Sequence, residues 1–169
     1  VQPRSISDVM DRRSGDCKEM VALLVTMLRA LDLEAFPALV VSSGGAHLQT
    51  VIPGASYFDH VIVAVTHGEG IVWLDPTLGG QLEPLHLLSI PDFRLALVLD
   101  GASTDLTDVV RPPDAAGAVE VEHHYFCSDY LGEAQVGVTA TYSGRLARLM
   151  RNQIQRWSAE ELENFVVQD

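Results

Sequence analysis

Apolar positions along residues 16–32 recur at the spacing of a helix: Met20, Val21, Leu24, Met27, Leu28 and Leu31. Leu23 and Val25 widen the apolar surface almost all the way round, which predicts a buried central helix. Gly15-Asp16 supply a turn and an N-cap, and Asp32 stands where a left-handed C-cap falls. Ahead of this helix, 5–13 is short and polar and reads as the end of a lead-in helix. The pattern then changes period. "AFPALVVS" (35–42), "FDHVIVAVT" (58–66), "IVWLD" (71–75) and "RLALVLD" (94–100) are strand-like, with Pro37 suited to an edge position. "HGEG" (67–70) reads as a four-residue hairpin turn, and 43–56 and 76–93 as loops.

After residue 100 the periodicity lapses. "GASTDLTDVVRPPDAAG" (101–117) has the composition of a linker. Residues 118–126 and 132–144 alternate like the two strands of a hairpin. In 145–157, Leu146, Leu149, Met150, Ile154 and Trp157 form an apolar face. Arg145, Arg148, Arg151 and Arg156 form a cationic face expected to be solvated. Ser158 and Glu161 form a capping box for one more helix. The expected fold class is α+β: a core over 1–100 with an N-terminal helix packed on an antiparallel sheet, a linker over 101–117, and the start of a second, β-rich or α+β domain over 118–169.

Composition narrows the function. With 47% hydrophobic residues a sizeable core can be buried without metal or disulfide staples. A net charge of −12 repels phosphate backbones and anionic headgroups, so nucleic acid is not an expected partner. No apolar run has the length of a membrane span, so membrane insertion is not expected either. The two cysteines, Cys17 and Cys127, make no disulfide framework and leave the compartment open, cytoplasm or periplasm. The chain opens "VQPRSISDVM" without an initiator Met or signal-peptide pattern and reads as a piece of a longer protein, so contacts with flanking domains are expected.

Cys17 opens the apolar helix. A helix N-terminus favours the thiolate, and its free N–H groups suit an oxyanion. A nucleophilic thiol needs a base, and the base an orienting acceptor. His60, Ile62 and Ala64 share one face of their strand. If 67–70 is the turn, residue 66 lies opposite 71 and residue 62 opposite 75, which puts Asp75 one diagonal step from His60. A one-residue slip would put the two on opposite faces.

These residues carry a resemblance. "GDCKEMVALLVTMLRALDLEAFPALV", "FDHVIVAV" and "VWLDPT", in that order over about 12–80, resemble the transglutaminase-like superfamily, papain-like thiol enzymes, and its bacterial multidomain subgroup in particular. The resemblance implies a papain-like core with Cys17 as nucleophile, His60 as base and Asp75 as orienter. It also implies a domain flanked by two β-rich domains, and an oxyanion donor upstream of the cysteine. No acidic loop has calcium spacing, so calcium-activated cross-linking is not expected.

The expected activity is cysteine-dependent acyl transfer on amide bonds of a peptide or protein substrate, most simply hydrolysis, without a cofactor. The alternatives are amine transfer by a transglutaminase, an inactive interaction module, or zinc held by Cys17, His60 and Asp75. Trp73 and Asp16 are the candidate substrate contacts, against plain roles in packing and helix capping. Asp59 is expected to be a solvated neighbour of the base. His47, His67, His86 and His123-His124 match no compact metal site. Cys127 is expected to be a lone, partly buried thiol.

Overall fold

The computed structural model describes residues 4–168 except 69, 86, 87, 113–115, 128–131 and 133, and no side chain beyond Phe165. His86 lies outside the described residues. The fold is α+β, with antiparallel pairing throughout the described strands.

Two compact units divide the chain, one comprising Val1–Gly79 with Ile90–Arg111, the other Gly80–Ser89 with Pro112–Asp169. The first begins with α1 (Ile6–Arg12) and α2 (Cys17–Arg29). The lead-in helix has its own start: the Ser5 side chain accepts a hydrogen bond from the Asp8 N–H. Five strands follow: β1 (Ala35–Val40), β2 (His60–His67), β3 (Gly70–Leu74), β4 (Leu95–Val98) and β5 (Thr107–Asp108). Their order across the sheet is β3-β2-β1-β4-β5. The stretch read as a linker therefore contributes a strand.

Apolar residues on both faces of β1 and β2 require cover on both sides. On one face, Ala35, Val61, Val63 and Val65 pack against Val21 and Val25 of α2, with Cys17, Leu24 and Leu28 partly buried alongside. On the other, Ala38, Val40, Ile62, Ala64, Trp73, Ala96 and Val98 pack against Ile90, Phe93 and Val109. Each fully buried side chain of this size contributes about 1.5–3 kcal/mol.

Three sequence expectations change here, for α2, for β1 and for the β2–β3 turn. α2 is amphipathic rather than buried all round, because the sheet covers one side of it: Met27 is 56% exposed, and Leu31, expected within the helix, lies past its end at Arg29 and is 71% exposed. β1 is the central strand, not an edge. Pro37 is tolerated there because its carbonyl, which accepts from the Leu99 N–H, and therefore its nitrogen, face β4 where that strand ends. The expected C-cap forms: Asp32 adopts φ 58°, Leu33 N–H donates to the Leu28 carbonyl, and Asp32 N–H donates to Arg29. The β2–β3 turn is tighter than four residues, with His67 and Gly70 already paired.

In the second unit β6 (Val119–Cys127) pairs with β7 (Ala134–Tyr142), followed by α3 (Gly144–Ile154) and α4 (Ala159–Gln168). A Cβ at Gly117, where φ is +78°, would collide with the Ser143 carbonyl. The Ser158–Glu161 capping box forms. The arginine face of α3 is not uniformly solvated: Arg148 is buried, and Arg151 donates to the Gly80 carbonyl and pairs with Glu83. The apolar face is open at Leu149 and Ile154. Cys127 is exposed, not partly buried. No described helix is long and apolar enough to cross a membrane.

Candidate active site

Cys17, His60 and Asp75 come together in the first unit, each at the end of an element. Cys17 is the first residue of α2, His60 the first of β2, and Asp75 follows the last residue of β3. The register is Thr66 opposite Ile71 and Val63 opposite Leu74, which continues to Ile62 opposite Asp75. His60 and Asp75 therefore share a face, and His60 Nε2 lies 2.9 Å from Asp75 Oδ2. With Nε2 donating to that carboxylate, Nδ1 is the ring nitrogen left for the thiol. Cys17 is near enough to act on the imidazole, adding to the upward shift of its pKa.

Asp75 is fully buried and spends its other oxygen on Thr77: Oδ1 accepts from the Thr77 N–H at 3.0 Å and hydroxyl at 2.6 Å. Burial pushes the Asp75 carboxyl up, but the hydrogen bonds from His60 and Thr77 outweigh it and hold the group below its usual range. The Asp75 bond raises His60 above its ordinary value; burial opposes this and Cys17 adds to it. The imidazole is 16% exposed and rests against Phe93, ring centroids 5.7 Å apart. The result is a shielded imidazole, oriented by a carboxylate and biased toward its protonated form.

The backbone around His60 is pinned from β1. Asp59, exposed as expected, also accepts from the Ser42 N–H at 2.7 Å and hydroxyl at 2.6 Å. Its N–H donates to the Val40 carbonyl. Asp16 is the α2 N-cap, its Oδ1 accepting from Lys18 N–H (2.9 Å) and Glu19 N–H (3.1 Å). Trp73 is buried in the core beside Ile62 and Phe93. Among the described residues, no three of His, Cys, Asp and Glu are grouped to hold a metal ion.

A cavity of about 780 Å³ lies in the same unit, walled by Leu39, Leu48, Val51, Tyr57, Phe58 and Leu97. None of the three candidate catalytic residues lines it. Phe58, however, is two residues from His60, so their Cα atoms are at most about 7 Å apart. The sequence pattern did not reveal this cavity, because most of its walls, apart from Leu39 of β1 and Leu97 of β4, come from the irregular 43–58 loop and the segment before β5. It also missed Arg4, whose guanidinium grips Glu19, two residues after Cys17. The capping spacing Asp16–Glu19 was the available signal for Glu19; nothing local pointed to Arg4. No protein-family model, curated protein or solved structure matches the chain.

Proposed function

We propose that this protein is a cysteine-dependent acyl-transfer enzyme with a transglutaminase-like, papain-like core, acting on amide bonds by hydrolysis. The observation that carries the reading is the buried Asp75 carboxylate 2.9 Å from His60, with Cys17 near enough to act on the same imidazole. Cys17 Sγ attacks the substrate carbonyl carbon while its proton passes to His60 Nδ1. The oxyanion of the tetrahedral intermediate is met by N–H groups at the start of α2, including that of Cys17. Collapse breaks the C–N bond, His60 protonates the leaving amine, and a thioester remains on Cys17. Water, deprotonated by His60, releases the acid and restores the thiol. Asp75 keeps the imidazole in the tautomer this requires and stabilises its cation. The apolar cavity beside Phe58 suits an apolar side chain of the substrate.

An activated ester supplies the test. It should leave an acyl group on Cys17, found by mass spectrometry of the digested protein and lost on dilution into buffer. Cys17→Ala should abolish labelling, and Asp75→Asn should slow it by about 10²–10⁴-fold. Faster discharge by an added primary amine than by water would replace hydrolysis with amine transfer. Labelling equal in the wild type and Cys17→Ala would contradict acyl transfer altogether.

A further inference from the structure

We propose that Arg4 and Glu19 form a positioning pair for the Cys17 thiol, fixing the first turn of α2 and cancelling the carboxylate charge that Glu19 brings to that turn, two residues from Cys17. The inference rests on the acyl-transfer reading above.

Glu19 is only 5% exposed, although it stands in the first turn of a helix. It takes four hydrogen bonds. Oε1 accepts from Arg4 N–H at 3.1 Å and Nε at 2.6 Å; Oε2 accepts from Arg4 Nη2 at 2.7 Å and Asp16 N–H at 2.9 Å. A capping box needs only the last of these. The two-pronged guanidinium contact, reaching fifteen residues along the chain, is extra. It encloses the turn that presents Cys17: a Cβ on Gly15 would come within 3.0 Å of Glu19 Cβ and 3.1 Å of its Oε2. The pair thus sets where the Gly15-Asp16 turn ends and where the N–H groups of the first turn point.

The second effect is electrostatic. The charged groups around Cys17 fall into three pairs. Asp16 and Lys18 flank it in sequence, 3.1 Å apart and solvent-exposed. His60 and Asp75 face it from β2 and the end of β3. Glu19 on its own helix is matched by Arg4, from the segment before α1. Arg12 and Arg13, where α1 ends, are exposed. Without Arg4, a shielded carboxylate two residues from the sulfur would stand unpaired and oppose the thiolate. Without Glu19, the cation alone would favour it. A merely structural pair would damage reactivity in the same direction whichever partner was lost. This pair should move it in opposite directions.

The test is the pH profile of Cys17 alkylation by iodoacetamide in the full chain, with peptide mapping to separate Cys17 from Cys127. For Arg4→Met the half-maximal pH should rise by about half to one unit, so the rate at pH 6 falls three- to tenfold. Glu19→Gln should move the midpoint down. The double variant, lacking both charges, should return close to the wild-type midpoint, and Arg4→Lys should restore most of it. Thermal melts check folding; if Arg4→Met does not fold, Glu19→Gln and Arg4→Lys decide the matter. Shifts in the same direction for both single variants, or a double variant further from the wild type than either, would overturn the positioning pair. A wild-type Cys17 with no reactivity above that of Cys127 at pH 6 would instead overturn the acyl-transfer reading.

Discussion

Asp75 divides its two oxygens between Thr77 and His60, so the imidazole is aimed by a carboxylate that is itself fixed. Such bonds link stability to pH, and the sign differs between acid and base. Asp75 and Glu19 are both depressed, Glu19 from 4.5 to about 2 under the hydrogen bonds of Arg4 and Asp16. Their contribution is present above the ordinary carboxylate range and is lost as pH falls through the depressed values. His60 is raised above 6.5, chiefly by Asp75, so its contribution is complete below that pH and is lost as pH rises through the raised value. The melting temperature should therefore be highest between these limits. It should drop steeply as pH falls below 4.5, and decline gently above 6.5. Glu19→Gln should flatten the acid limb and Asp75→Asn the gentle neutral one. A melting temperature unchanged from pH 3 to 9 would contradict these assignments.

At the scale of elements, register is what turns a sequence pattern into a site. The diagonal between His60 and Asp75 was legible because strand residues alternate faces and the "HGEG" spacing fixes which residues oppose. Thr66 opposite Ile71 is the pairing that spacing predicts. Helix α2 was legible in its start and caps, but it ends at Arg29 rather than 32, and its burial was not legible, since periodicity cannot say how many sides of a helix are covered. Pro37 misled for a related reason: its propensity points to an edge, while the structure meets the lost donor by ending β4 opposite it. Contacts between distant segments, such as Asp59 with Ser42 or Arg4 with Glu19, leave no periodic trace at all. The packing itself can be tested. Ile62, fully buried between the strands and Phe93, should cost about 2–5 kcal/mol as Ile62→Ala, with a cavity left behind. Met27→Ala, on the open side of α2, should stay within about 0.5 kcal/mol. Equal losses in chemical denaturation would mean that α2 is covered on both sides.

For the whole molecule, what matters is that the first unit holds all three candidate catalytic residues. The starts of α2 and β2 and the end of β3 converge there, and the 43–58 loop adds an apolar cavity close to His60 along the chain. The net charge of −12 bears on partners rather than on chemistry, and disfavours polyanionic substrates. The second unit supplies a useful internal standard: Cys127 is an exposed thiol on β6, whereas Cys17 is half-buried. Accessibility alone would make Cys127 the faster of the two to react. An activated nucleophile reverses that order. The measurement is the rate of iodoacetamide modification of each cysteine at pH 6.5, resolved by peptide mapping, in the wild type and in His60→Ala. The account predicts that Cys17 reacts at least about tenfold faster than Cys127, and that His60→Ala removes the difference. A Cys17 that reacts no faster than Cys127, at a rate indifferent to His60→Ala, would contradict it.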